Sequence, residues 1–366
     1  MKPTYYIGIM SGTSLDGIDV VLADFGSSPP SLPYTFYLPY DESLRQRLLN
    51  LHHSGNNELH RAAMLSNELA QRYADAVVGL LNKSGVKPHN VTAIGCHGQT
   101  VRHCPQPERS YTIQLGNAAL LAELTGITVV TDFRSRDIAA GGQGAPLVPR
   151  FHQALFADPR NHRVVVNIGG ISNLTSLMPT GEVTGFDCGP GNLLMDAWCL
   201  HHLGKAYDEN GIWAGTGKVI PALLEKLLTL QYFSLSPPKS TGREVFNLSW
   251  VESCLSGDEK PEDVQATLLQ LTVTAISESV LTYFQNAVEI YLCGGGARNG
   301  ELVGRLRAAL PGKKVELTDV LGVDADWLEA FAFAWLAQQA ILGVPGNLPN
   351  VTGAKGARLL GAIYRA

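Results

Sequence analysis

Long hydrophobic runs, charge of one dominant sign and paired cysteines are all missing from this 366-residue sequence. No stretch reaches the roughly 18–20 consecutive apolar residues of a membrane span. The nearest approach, around 324–343, is interrupted by Glu329 and by Gln338-Gln339. Met1-Lys2-Pro3-Thr4 leads into Tyr5–Met10 and then a polar turn, which is too short for the apolar segment of a secretory signal. The six cysteines form no C-x-x-C pair, so reduced, buried thiols in a cytoplasmic protein with no membrane partner are expected. The longest run of adjacent basic residues is Lys313-Lys314, and 28 Lys and Arg against 33 Asp and Glu give a net charge of −5. Nucleic acid is therefore not an expected partner. Charged residues are 17% and hydrophobic residues 45%, a globular balance that excludes a disordered chain. Two phosphate-binding signatures are absent as well. Gly217-Lys218 and Gly312-Lys313 lack the rest of G-x-x-x-x-G-K-[ST], and no G-x-G-x-x-G follows a strand, so P-loop and Rossmann enzymes lose support.

Glycine, by contrast, is in excess: 38 occur, where average usage of about 7% would give roughly 26. They follow no fixed period, so tight turns and close backbone approaches are the expected use. At about 150 residues per domain the length suggests two domains. Strand patterns at 5–10 and 18–24, a third at 34–40, a helical pattern over 57–83, a strand at 91–96, a helix at 117–125 and a strand at 127–131 make the first half. The second half repeats this grammar with strands at 163–167, 174–178 and 182–187, a helix at 192–202, a loose stretch over 205–260, a helix from 263 to about 284, strands at 288–293 and 315–318 around a helix at 299–310, and a last helix beginning near Asp324. Gly141-Gly142-Gln143-Gly144 reads as a hinge, giving lobes 1–140 and 141–366; on which side of that boundary the last helix packs is left open.

Three glycine loops and two cation loops carry the candidate chemistry. Ser11-Gly12-Thr13-Ser14-Leu15-Asp16-Gly17 offers converging backbone N–H groups and hydroxyls to an anion, or is a plain hairpin loop. Asp187-Cys188-Gly189-Pro190-Gly191-Asn192 puts a carboxylate at a strand end, either as a general base or as the cap of the next helix. Gly294-Gly295-Gly296-Ala297-Arg298 has no evident packing purpose for its glycines and suggests a flat ligand lying on bare backbone, with a simple strand–helix turn as the alternative. Asp132–Asp137 and Lys239–Glu244 concentrate cations suited to a carboxylate or phosphate; pairing with the adjacent Asp137 and Glu244 is the blander reading. Cys96, His97, His103 and Cys104 invite a metal site, but neighbouring side chains of a strand point to opposite faces, so no metal ligand is assigned.

Taken together, Ile7–Asp19, Gly95–Thr100, Asp132–Pro149, Asn167–Leu174, Phe186–Asn192, Pro238–Glu244, Cys293–Asn299 and Pro345–Ala354 resemble the anhydro-N-acetylmuramic acid kinase family of the sugar kinase, heat-shock chaperone and actin superfamily. The resemblance implies an α/β, two-lobed, duplicated ribonuclease-H-like fold with ATP, Mg²⁺ and sugar in a cleft between the lobes, and a homodimer. It makes Gly12, Thr13, Ser14, Leu15, Asp16, Gly17, Ile18 and Asp19 the first phosphate loop, Gly169, Gly170 and Asn173 part of the second, and Gly294, Gly295, Gly296 and Arg298 the adenosine loop. Asp187 becomes the catalytic base, and His97, Gln99, Arg134, Gln143, Asn192 and Glu329 line the sugar. The implied reaction opens the 1,6-anhydro bond of the sugar and phosphorylates O6; a plain sugar kinase and a nucleotide-driven switch are the other readings. One departure stands out: the superfamily's first phosphate loop usually carries an Asp where this chain has Ile9, so ATP phosphates and water are expected to supply most Mg²⁺ ligands, with Asp16, Asp19 and Asp187 as outer partners. On this reading sixteen glycines, at 8, 12, 17, 95, 98, 141, 142, 144, 169, 170, 185, 189, 191, 294, 295 and 296, line a single cleft.

Overall fold

The computed structural model describes residues 4–12, 14–105, 108 and 110–366. Among them the strands are β1 (Tyr5–Ser11), β2 (Gly17–Asp24), β3 (Ser31–Pro39), β4 (Val91–Cys104), β5 (Tyr111–Leu115), β6 (Val129–Thr131), β7 (Arg163–Ile168), β8 (Ile171–Leu177), β9 (Val183–Pro190), β10 (Glu289–Cys293), β11 (Lys314–Leu317) and β12 (Ala362–Tyr364). They form two sheets, ordered β12-β6-β4-β1-β2-β3, with β5 beside β4, and β11-β10-β7-β8-β9. In the first, β1–β2 and β2–β3 are antiparallel while β1–β4 and β4–β6 are parallel. In the second, β7–β8 and β8–β9 are antiparallel while β7–β10 and β10–β11 are parallel. The same five-strand plan is therefore built twice, which is the duplicated ribonuclease-H-like α/β fold.

Two compact units contain these sheets: Met1–Leu155 with Trp327–Ala366, and Phe156–Asp326. The boundary expected at 140/141 thus moves to 155/156, and the last helix joins the first unit, a placement the sequence leaves open. The supposed hinge is tied down, because the Asp137 carboxylate accepts the Gly144 N–H at 2.8 Å and Gln143 N–H donates to the Thr352 carbonyl at 2.7 Å. Phe151 then sets its ring edge-on to Phe331 at 5.1 Å, so residues 141–155 belong to the first unit.

Phe331 lies on the last long helix, Leu328–Leu342, which is apolar on nearly all sides because it is a core element of the first unit. Its small residues meet small residues on the central strands. Gly8 and Gly95 are register partners in β1 and β4, and a Cβ would lie 1.8 Å from the Ala330 carbonyl oxygen at Gly8 and 2.0 Å from that of Phe333 at Gly95. Part of the glycine excess assigned to ligand contact therefore serves helix-on-sheet packing. The helix Glu58–Ser84 adds Leu65, Leu69, Tyr73, Val77 and Leu80 to the core of this unit. In the second unit the helix Pro261–Tyr283 is long and apolar enough to cross a membrane, but 78% of its most apolar window is buried inside the protein.

Candidate active site

Asp187 stands near the end of β9, 7% exposed, opposite Asn173 in the β8–β9 ladder just past a register shift. The helix that follows, Leu193–Leu203, begins at Asn192, so the cap reading of Asp187 falls away. Its Oδ2 accepts the Thr241 N–H at 3.1 Å, its own N–H donates to the Lys239 carbonyl at 3.1 Å, and its carbonyl accepts the Tyr232 hydroxyl at 2.5 Å. Two buried acceptors on the residues flanking it, Asn173 Oδ1 and Thr241 Oγ1, find no hydrogen-bond partner among the described residues. Buried polar atoms rarely stay unsatisfied, so this corner fits a polar ligand. The Cys188 thiol next to Asp187 is buried and its pKa is pushed up by desolvation, which keeps it protonated.

The second unit's glycine loops converge on Asn192, just past Asp187 in sequence. Gly191 N–H donates to the Gly170 carbonyl at 2.9 Å and Asn192 N–H to that of Gly169 at 2.8 Å. Asn192 Nδ2 reaches the Ile168 carbonyl at 3.3 Å. Asn192, expected on the sugar side, thus sits against Ile168 and Gly169 and beside Gly295 and Gly296. Two of the three consecutive glycines do have a packing purpose. A Cβ would lie 2.4 Å from Asn167 Oδ1 at Gly294, where φ is +78°, and 2.3 Å from Ile168 Cγ2 at Gly296. At Gly295, which is exposed, the nearest neighbour would be 3.8 Å away, so this glycine is the one with room for a ligand. Arg298 spends its fork on three carboxylates, Asp326 at 3.0 Å, Asp319 at 3.3 Å and Asp324 at 2.5 Å. These bonds anchor the loop.

In the first unit, Gly12 is similarly open, with Ser14 Oγ 3.4 Å from a built Cβ; Thr13 lies outside the described residues. Asp16 organises the loop, its Oδ1 accepting Ser14 Oγ at 2.6 Å and Gly17 N–H at 3.0 Å. Leu15 and Ile18 are buried in the core and have only backbone to offer a phosphate. Asp19 is on β2 opposite Met10.

Gln99 is fully buried and its Nε2 donates to the Gly12 carbonyl at 3.0 Å, while Oε1 has no partner among the described residues. His97 packs on Phe333, ring centroids 4.7 Å apart, and Phe333 is one turn beyond Glu329 on the same helix. Arg134 donates to His97 Nε2 from Nε at 3.2 Å and to the Gly144 carbonyl from Nη1 at 2.7 Å. Burial and the neighbouring Arg134 charge hold the His97 pKa well below the usual histidine value. The ring is therefore neutral at pH 7 with its proton on Nδ1, a buried donor with no partner among the described residues. His97, Gln99, Arg134 and Gly12 are thus linked through direct contacts and one strand, with Gln143 in the loop that Arg134 braces.

Asp137 is the residue that sequence reasoning undervalued. Its flanking arginines suggested an ion pair. Instead the carboxylate, completely buried, accepts Thr352 Oγ1 and Asn347 Nδ2 at 2.7 Å each, along with Gly144 N–H. Asp137→Ala leaves the Gly144 N–H unpaired and Asn347 Nδ2 and Thr352 Oγ1 with only their 3.4 Å contacts to the Gly356 and Leu348 carbonyls, and is expected to cost about 2–4 kcal/mol. Thermal unfolding should show this as a fall of roughly 5–15 °C, and an unchanged midpoint would refute the hub role.

A sequence profile described as anhydro-N-acetylmuramic acid kinase matches residues 4–366. A protein of that name from Nitrosospira multiformis is 69% identical over 366 residues, 100% of both chains. Another, from Nitrosomonas europaea, is 66% identical over 362 residues, 99% of this chain and 100% of its own. Among solved structures, the (R)-2-hydroxyglutaryl-CoA dehydratase component A of Acidaminococcus fermentans is similar at 14% identity and a TM-score of 0.49, covering 90% of this chain and 95% of its own.

Proposed function

The chain belongs to the anhydro-N-acetylmuramic acid kinase family, and from that premise we propose that Asp187 is the base of its reaction. The protein is a phosphotransferase with an alcohol acceptor: it opens the 1,6-anhydro bond of 1,6-anhydro-N-acetylmuramic acid and phosphorylates O6, in cell-wall recycling. It is a kinase that uses ATP.

In our reading Asp187 takes the proton from the water that attacks C1. Inverting hydrolysis ordinarily needs a second carboxylate to protonate the leaving oxygen. Here O6 leaves toward the γ-phosphorus, so a single carboxylate suffices, and phosphoryl transfer asks the protein mainly for positioning and charge stabilisation. The observation that carries the reading is the buried Asp187 carboxylate, fixed by Thr241 N–H and flanked by two unsatisfied buried acceptors. Gly12 and Gly295, the glycines with open space, are assigned to phosphate and adenosine together with 13–19, Gly169, Gly170, Asn173 and the flat face of Arg298. His97, Gln99, Arg134, Gln143 and Glu329 are assigned to the sugar, and Asn192 to either side of it. No group of three or more His, Cys, Asp or Glu among the described residues forms a cation cage. Mg²⁺ would be carried on ATP oxygens and water with Asp16, Asp19 and Asp187 as outer partners, where it would neutralise phosphate charge. The six free cysteines support a cytoplasmic setting, and a homodimer is proposed by family likeness.

Turnover in ¹⁸O-water tests the reading. Label is expected on C1 of the product, and ADP release is expected with the anhydro sugar but not with N-acetylmuramic acid or glucose. An unlabelled C1 would return the chain to a plain sugar kinase in which Asp187 deprotonates a hydroxyl.

A further inference from the structure

Beyond the Thr241 N–H that holds the Asp187 carboxylate, the Pro238–Glu244 segment closes a ring of hydrogen bonds through Asp187. Lys239 Nζ donates to the Tyr232 carbonyl at 3.2 Å. The Tyr232 hydroxyl donates to the Asp187 carbonyl, and Asp187 N–H donates to the Lys239 carbonyl at 3.1 Å. Two residues on, Thr241 N–H holds Asp187 Oδ2 at 3.1 Å. Lys239 is 7% exposed, and its ammonium lies 4.8 Å from the Tyr232 ring centroid and 5.8 Å from that of Phe186. Burying a lysine head is costly, and desolvation pulls the Lys239 pKa below the usual value. Two aromatic faces and one carbonyl offset that cost. An apolar side chain would fill the same box without the desolvation penalty, but it would leave the Tyr232 carbonyl without this donor and the loop without its tie.

We propose that Lys239 is a positioning residue for the catalytic base: its buried ammonium locks the Tyr232 helix to the 239–241 strap, and the strap sets the Asp187 carboxylate. The proposal rests on Asp187 being the base. It requires the effect to run through Asp187, which Lys239 meets through its own backbone carbonyl and by way of Tyr232. Base misplacement on the order of 1 Å costs up to about 10²-fold in rate.

Steady-state kinetics of Lys239→Met and Tyr232→Phe, each alone and combined with Asp187→Asn, make the test. Lys239→Met is expected to lower kcat about tenfold or more and Tyr232→Phe several-fold, with KM for ATP and sugar within about twofold. Both should be silent on the Asp187→Asn background, since a positioning residue has nothing left to position. Losses that multiply with Asp187→Asn, or wild-type kcat in both single variants beside an inactive Asp187→Asn, would overturn the positioning role and leave the base assignment standing. Wild-type turnover by Asp187→Asn would remove the base assignment and this proposal together. Should Lys239→Met fail to fold, the nearly isosteric Tyr232→Phe decides.

Discussion

Asp187→Asn is expected to lower sugar-dependent ADP release by about 10³–10⁴-fold, at the upper end of what a positioned general base contributes. The substitution keeps size and shape, and the backbone bonds of residue 187 to Lys239 and Tyr232 do not involve its side chain. The amide oxygen can still accept the Thr241 N–H, so folding and ATP binding should persist, with an unfolding midpoint within about 2 °C of the parent. Loss of the base alone then separates chemistry from binding: kcat collapses while the Kd of an ATP analogue stays put. Turnover within tenfold of the parent would mean that another group activates the water. Alanine is the poorer choice, because it leaves the Thr241 N–H unpaired.

What the sequence made legible follows from how local each signal is. The two halves share little residue by residue, yet each hairpin, glycine turn and parallel return strand is encoded in a short window, so the duplication could be read before the sheets confirmed it. The place of Asp187 near a strand end was readable for the same reason, from the Gly189-Pro190-Gly191 that follows it. Long-range pairing was not. Asp137 was read against the arginines beside it, but its partners are Asn347 and Thr352, more than 200 residues away in sequence. The loose stretch over 205–260 contains Ile212–Thr216, Pro221–Leu228, Gln231–Ser234 and Leu248–Cys254, helices too short to show a clear period. One of them supplies Tyr232, whose bond to Asp187 has no signature in a single chain. β5 was missed although Tyr111-Thr112-Ile113-Gln114-Leu115 alternates apolar and polar residues, because five residues are a short window and two of its apolar positions, Tyr111 and Ile113, are exposed. Gly294 and Gly296 misled for a related reason: a glycine that admits a ligand and a glycine that admits the protein's own Ile168 look alike until the fold brings Ile168 there.

Gly8→Ala distinguishes those two uses of glycine most sharply. On propensity alone, alanine in place of a strand glycine should stabilise by about 0.5–1 kcal/mol. At Gly8 the added carbon would stand 1.8 Å from the Ala330 carbonyl oxygen and 2.8 Å from the Ala334 nitrogen. Both are backbone atoms of one helix, so no rotamer change relieves the overlap; the helix must lift from β1, and with it the contacts of Phe331 and Phe333. Overpacking with flexible neighbours costs about 1–3 kcal/mol, and a rigid backbone clash belongs above that range. The expected cost is about 4 kcal/mol or more, seen as a midpoint lowered by roughly 10 °C or more. Activity should fall too, because Glu329 occupies the first turn of the displaced helix. Gly304→Ala is the matched control: that glycine lies within the helix Gly300–Ala309 with nothing within 4 Å of a built Cβ, and the change should raise stability by about 0.5–1 kcal/mol. If Gly8→Ala unfolded at or above the parent temperature, the close seat of the Leu328–Leu342 helix on β1 would be wrong. The opposite signs of these two glycine replacements follow from distance alone, since both remove the same backbone freedom from the unfolded chain.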